Sequence, residues 1–133
     1  MVICLTLPSC KKESNRSGTG NTPQPIGQTY PKTVSIEYRV TVASGDVSKI
    51  TSLTYTNETG GGVNQSDVAL PFSKKISATV NKGDDFGLSL LHNNSATGAF
   101  ELKMDIMVDG NIIKTETHGG TSSVIAAIVH FFP

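Results

Sequence analysis

Five apolar residues at a spacing of two, Val34, Ile36, Tyr38, Val40 and Val42, alternate with Ser35, Glu37, Arg39 and Thr41. A strand turns successive side chains to opposite faces, so this pattern makes a half-buried β-strand and excludes a helix over the same residues. The period recurs along the chain. Leu53 and Tyr55 share a face in 50–57, with Ile50 on the other parity, a shift that marks a β-bulge. Val68, Leu70 and Phe72 form a short third strand broken by Pro71, which has no N–H to give a ladder. Ile76, Ala78 and Val80 form a fourth, and 86–91 a fifth. Phe100, Leu102, Met104, Ile106 and Val108 alternate through a sixth. Asp109-Gly110 next to that run predicts a two-residue hairpin turn, since a type I′ turn needs φ > 0 at both centres. The seventh strand runs to about Thr117, His118-Gly119-Gly120 turn the chain, and 122–131 is the eighth. Its run 124–129 is apolar on both faces, as in a central strand.

Composition agrees. Val, Ile and Thr make up more than a quarter of the chain, and such stiff, β-branched side chains suit a pleated surface. Short strands with turns every 8–15 residues and no helical period predict an all-β fold. The expectation is an antiparallel immunoglobulin-like β-sandwich of seven to eight strands over 33–133. A closed barrel competes; Pro71 favours two sheets, because a strand that bends there can cross between them.

The first residues have a different character. Met1 to Cys10 carry no charge and are mostly apolar, and 11–31 are polar, with Ile26 and Tyr30 the sizeable apolar exceptions. Leu7-Pro8-Ser9-Cys10 resembles the bacterial lipobox, in which cleavage before a cysteine precedes its acylation. The expectation is a truncated lipoprotein signal peptide over 1–9, a lipidated Cys10, and a disordered tether over 10–32. As a coil the tether spans on the order of 25 Å, from about 5–6 Å times the square root of its length. The protein is then held in the cell envelope by a lipid anchor, at the outer membrane. With Cys4 removed and Cys10 acylated, no cysteine remains for a disulfide or a metal site.

Function is less legible. Equal numbers of acidic and basic residues, 11 each, give no field to attract nucleic acid. His92, His118 and His130 do not make a metal signature by spacing, and no cofactor is expected. Asp84 and Asp85 follow Lys82-Gly83 in a loop; calcium would need six or more oxygens, so the expectation is a solvated turn. Gly60-Gly61-Gly62 has no Gly-Lys-Ser/Thr after it and cradles no phosphate. Glu37, Glu101 and Asp105 fall at the polar phase of their strands and read as solvent-facing. No constellation meets the needs of catalysis, so a non-enzyme is expected. The loops 60–66 and 84–86 are the candidate binding loops, with Gly60, Gly61, Gly62, Asp84 and Asp85 the candidate residues and the ligand open. The N-x-S/T triplets at Asn15, Asn57, Asn64 and Asn93 mark exposed loops, and Phe131-Phe132 close the core at the chain end.

The order of four motifs, Tyr38-Arg39-Val40-Thr41, then Leu53-Thr54-Tyr55-Thr56-Asn57-Glu58-Thr59-Gly60, then Leu70-Pro71-Phe72-Ser73, then Val108-Asp109-Gly110-Asn111, resembles the MmpS family. These are transport accessory proteins of the mycobacterial envelope, with a membrane anchor and an extracytoplasmic β-sandwich. The resemblance covers most of 34–130. It implies an accessory domain partnered with an envelope transporter. The family's cysteine pair across the last strands is replaced here by Met104 and apolar residues of 124–128, and its Trp after Leu-Pro by Phe72. The lipobox followed by Lys11-Lys12-Glu13 is also similar to small Bacteroidetes lipoproteins. A solitary ligand- or glycan-binding, adhesive module on the cell surface is the alternative role.

Overall fold

The computed structural model describes residues 29–93 and 98–133. Cys10 and the whole of 1–28 lie outside them, as does the Asn15 triplet. Eight strands follow in order: β1 (Lys32–Ser44), β2 (Lys49–Thr56), β3 (Gly62–Ala69), β4 (Phe72–Val80), β5 (Asp85–His92), β6 (Phe100–Val108), β7 (Asn111–Gly120) and β8 (Val124–Phe131). They build two antiparallel sheets of four, ordered β4-β1-β6-β7 and β3-β2-β5-β8. This is a β-sandwich. The central pairs are β1–β6 in one sheet and β2–β5 in the other; β1 also pairs with β4, so that β4–β1 and β2–β5 are arranged as two partner pairs of an immunoglobulin-like sandwich are. The β6–β7 hairpin lies beside β1, where that fold places its first strand.

Alternation builds the core. Val34, Ile36, Tyr38 and Val40 of β1 and Leu102, Met104 and Ile106 of β6 face Leu53 of β2 and Leu88 and Leu90 of β5, all nearly inaccessible to water. Each such side chain contributes about 1.5–3 kcal/mol of burial. Asp109 and Gly110 both have positive φ, 49° and 85°, as a type I′ turn demands. The Asp109 carboxylate also accepts from the Ser35 N–H at 2.9 Å.

Elsewhere the chain departs from its apolar pattern. Gly62–Ala69 is a strand, although Asn64, Gln65, Ser66 and Asp67 carry little apolar signal; it is ordered by its ladder to β2. The expected third strand therefore does not exist as one element. Val68 belongs to β3, which ends at Ala69, Phe72 begins β4, and Leu70-Pro71 carries the chain from the second sheet to the first. The parity shift at Ile50 is not a one-sided bulge: the β2–β3 register is the same before and after Thr51. Asp67, opposite Thr51, takes φ 51°, and both strands change face together.

Two further expectations are corrected at the end of the chain. His118, Gly119 and Gly120 are not a turn but the last residues of β7, paired with Leu102, Glu101 and Phe100. Gly119 is required there because a Cβ would overlap the Phe100 carbonyl oxygen. And β8 is an edge strand, not a central one: its second apolar face, Ile125, Ala127, Val129 and Phe131, is exposed. Phe132 closes the core, edge-on to Phe86 at 5.9 Å, while Phe131 points outward.

Candidate functional site

Two of the turns singled out in the sequence meet at one end of the sandwich. The first, 57–61, joins β2 to β3 and is organised by Asn57. Its Oδ1 accepts from the Thr59 N–H at 2.9 Å, the Thr59 hydroxyl at 2.8 Å and the Gly61 N–H at 2.9 Å. The Asn57 N–H in turn donates to the Gly61 carbonyl at 2.7 Å, closing the hairpin. Asn suits this position because its short side chain mimics a backbone turn. The second turn, 81–84, joins β4 to β5. Asp84 Oδ2 accepts from the Asn81 N–H at 2.7 Å, the Gly83 N–H donates to Phe132 O at 2.7 Å, and the Phe132 N–H donates to Asp84 O at 2.9 Å.

Between these turns lies a cleft of about 440 Å³, lined by Glu58, Thr59, Gly60, Thr79, Asn81, Asp84, Asp85 and Phe86. Three carboxylates and no cation line it, so it repels anions and favours cationic or hydroxyl-rich groups. Asp84 is committed to its own turn; Glu58 and Asp85 are exposed. Of the five candidate residues, Gly60, Asp84 and Asp85 thus share one cleft. Gly61 serves the Asn57 turn. Gly62 opens β3 opposite Thr56, so the expected loop 60–66 is mostly strand, and the Asn64 triplet lies on β3 instead of in a loop. Among the described residues, no group of three or more His, Cys, Asp or Glu side chains could hold a metal ion.

Other titratable groups sit apart from the cleft. Glu37 and Asp105 are not solvent-facing as their strand phase suggests. Glu37 accepts from Arg39 Nε at 2.7 Å and from the Ser73 hydroxyl at 2.9 Å, with Lys75 Nζ at 3.8 Å. The Arg39 guanidinium, followed by Ser73 and Lys75, holds its carboxyl below the usual range against the opposing effect of burial. Asp105 is only 4% exposed, because β6 runs between two neighbours and sets it between Arg39 and Thr115 in register. Its Oδ2 is 3.8 Å from Lys103 Nζ, and its Oδ1 has no hydrogen-bond partner. His92 ends β5, stacked edge-on against Phe100 at 5.0 Å, and burial lowers its pKa. His118 lies 3.0 Å from Glu116 on β7. The three histidines do not converge.

A second concavity had no clear sequence signal. It is a trough of about 240 Å³ on the outer face of the second sheet, lined among others by Thr54, Gly62, Gly87, Ala127 and Val129. It exists because three outward positions in adjacent register carry small residues or none: Gly62 opposite Thr56, Gly87 opposite Val129, Ser89 opposite Ala127. Only the register reveals that these small residues are neighbours.

No protein-family model matches the chain, and no curated protein matches it.

Proposed function

We propose that this protein is a non-catalytic envelope lipoprotein, acylated at Cys10, whose β-sandwich is an accessory domain for a membrane transporter. One geometric observation carries the reading. Lys32, where β1 begins, pairs with Val80, where β4 ends, so the chain enters the sandwich at the end that holds the cleft. A tether attached there keeps the 57–61 and 81–84 turns towards the membrane, and the 45–48 and 121–123 connections away from it. A transporter embedded in that membrane meets the cleft end first. The lipobox-like Leu7-Pro8-Ser9-Cys10 and the MmpS-like order of motifs support the same role.

The test has two arms. Metabolic labelling with palmitate should mark the wild-type chain and leave Cys10→Ser unmarked. A pull-down of the labelled protein from solubilised membranes should bring down a transporter, and Asp85→Lys should weaken that capture. Labelling without any transporter in the pull-down rejects the accessory role while retaining the anchor.

The alternative, a solitary ligand-binding module, draws on the cleft itself. Its carboxylate, hydroxyl and amide lining, with Phe86 at its base, is chemistry suited to a glycan. Glycan-array binding that Asp85→Ala abolishes, with no transporter captured, would establish that reading instead.

A further inference from the structure

Among the described residues, the exposed large apolar side chains are Ile112, Ile113, Ile125, Val129 and Phe131. All of them lie on β7 and β8, the strands that end the two sheets on the same flank. Concentration on one flank distinguishes an interaction surface from scattered exposure.

The four sheet edges are not alike. An open edge invites pairing with another chain, and proteins blunt it with charge, kinks or bulges. β4 carries Lys74 and Lys75. β3 is kinked at Asp67, with φ 51°. β7 carries Lys114 and Glu116 and pairs across a register shift. β8 has none of these devices. Its eight residues include no Asp, Glu, Lys, Arg or Pro, and its register with β5 runs unbroken from Asp85–Phe131 to His92–Val124. His130 adds no charge near neutrality, because burial lowers its pKa and Lys32 lowers it further. Outward neighbours on the same face, Gly87, Ser89 and Leu91 of β5 and Ser52, Thr54 and Thr56 of β2, are uncharged as well; Asp85, opposite Phe131 at the end of the strand, is the one charged residue of β5 in that phase.

We propose that β8 pairs antiparallel with β8 of a second copy of this chain across a two-fold axis, joining their second sheets into one continuous eight-stranded sheet. The self-match selects this occupant. With Ile128 opposite its own copy, Ala127 meets Val129 and Ile125 meets Phe131, so exposed apolar residues pair on one face at each step. No like charges come into opposition, the usual penalty when a strand meets itself. The contact is isologous and closes at two copies. The antiparallel pairing turns the two cleft ends in opposite directions, so the proposal does not rest on the transporter reading, which it would confine to one copy of the pair.

Sedimentation of the full chain, produced without acylation, should show a dimer over a micromolar concentration series. Val129→Lys, at an exposed site, should give monomer at the concentrations where wild type is dimeric, with an unchanged circular dichroism spectrum. Ile125→Lys serves the same purpose should Val129→Lys misfold. Ile125→Cys with Phe131→Cys should yield a disulfide-linked dimer beyond any seen for wild type. A wild-type monomer throughout, as would follow if another partner or another part of this chain occupied β8, overturns the proposal. So does a dimer that neither lysine weakens, or a double cysteine variant that does not cross-link.

Discussion

The hydroxyl of Tyr38, fully buried in β1 of one sheet, donates to the carbonyl of Thr56 at the end of β2 in the other, at 2.8 Å. Its ring also meets Tyr55 at 5.5 Å, and Tyr55 meets Phe72 at 6.2 Å, so aromatic contact ties the sheets where the 57–61 turn begins. Burial pushes the phenol pKa up, so the hydroxyl stays a donor. Tyr38→Phe keeps the ring and removes the donor, and should cost about 1 kcal/mol, the usual net worth of such a bond. Tyr38→Ala should cost about 3–5 kcal/mol, because a cavity opens as well. Urea denaturation of both variants checks the order and the gap.

Glycine 119 supplies a second expectation. A Cβ there meets the backbone of Phe100 and Glu101, which cannot rotate away. Gly119→Ala should destabilise by about 1–3 kcal/mol through overpacking. At Gly87 a Cβ meets only ordinary contacts near Ile128 and Val129, and Gly87→Ala should leave stability within about 0.5 kcal/mol. Thermal melts of the pair separate a glycine the ladder demands from one it merely permits.

The contrast between these glycines shows where sequence reading runs out. Alternation exposed β1 and β6, because each buries one face against the other sheet and the solvent face can be polar. It missed the full length of β3, whose middle is held by backbone pairing to β2 and not by buried side chains. It placed a turn at His118-Gly119-Gly120, because close approach of two backbones and a tight turn both call for glycine. It made β8 central, because an apolar outer face reads the same whether another strand or only water covers it. The cleft was half legible: Gly60, Asp84 and Asp85 stand out as turn residues, but nothing in the chain says that the two turns meet. Asp105 fails the phase rule because its neighbours on β1 and β7, fixed by register alone, shield it from water.

Acid should weaken the fold through His92. Burial lowers its pKa, so the folded state resists the proton that the unfolded chain accepts near the ordinary value of about 6.5. Between that value and the lowered folded one, the unfolded state binds more protons, and stability falls as pH drops. His92's contribution is therefore intact above the unfolded pKa and is lost progressively below it. His130 titrates in the same sense. Melting midpoints measured from pH 8 down to pH 5 should decline, and His92→Leu should flatten that decline. An unchanged slope in the variant would assign the effect to other groups.

Asp84 and Asp85 are adjacent in sequence yet should respond differently to loss of their carboxylates. Asp84 accepts from the Asn81 N–H and fixes the 81–84 turn. Asp84→Ala should lower stability by about 0.5–1.5 kcal/mol, as expected for one lost hydrogen bond. Asp85 begins β5, pairs through its backbone with Phe131, and leaves its side chain exposed over the cleft. Asp85→Ala should therefore leave stability within about 0.5 kcal/mol. Whatever enters the cleft, whether a segment of a transporter or a sugar, meets the Asp85 carboxylate without first breaking a turn. Binding should fall with Asp85→Ala while the melting midpoint holds, and fall with Asp84→Ala only together with that midpoint. Equal loss of stability in both variants would mean that the two carboxylates share one structural task and that the cleft carries no recognition of its own.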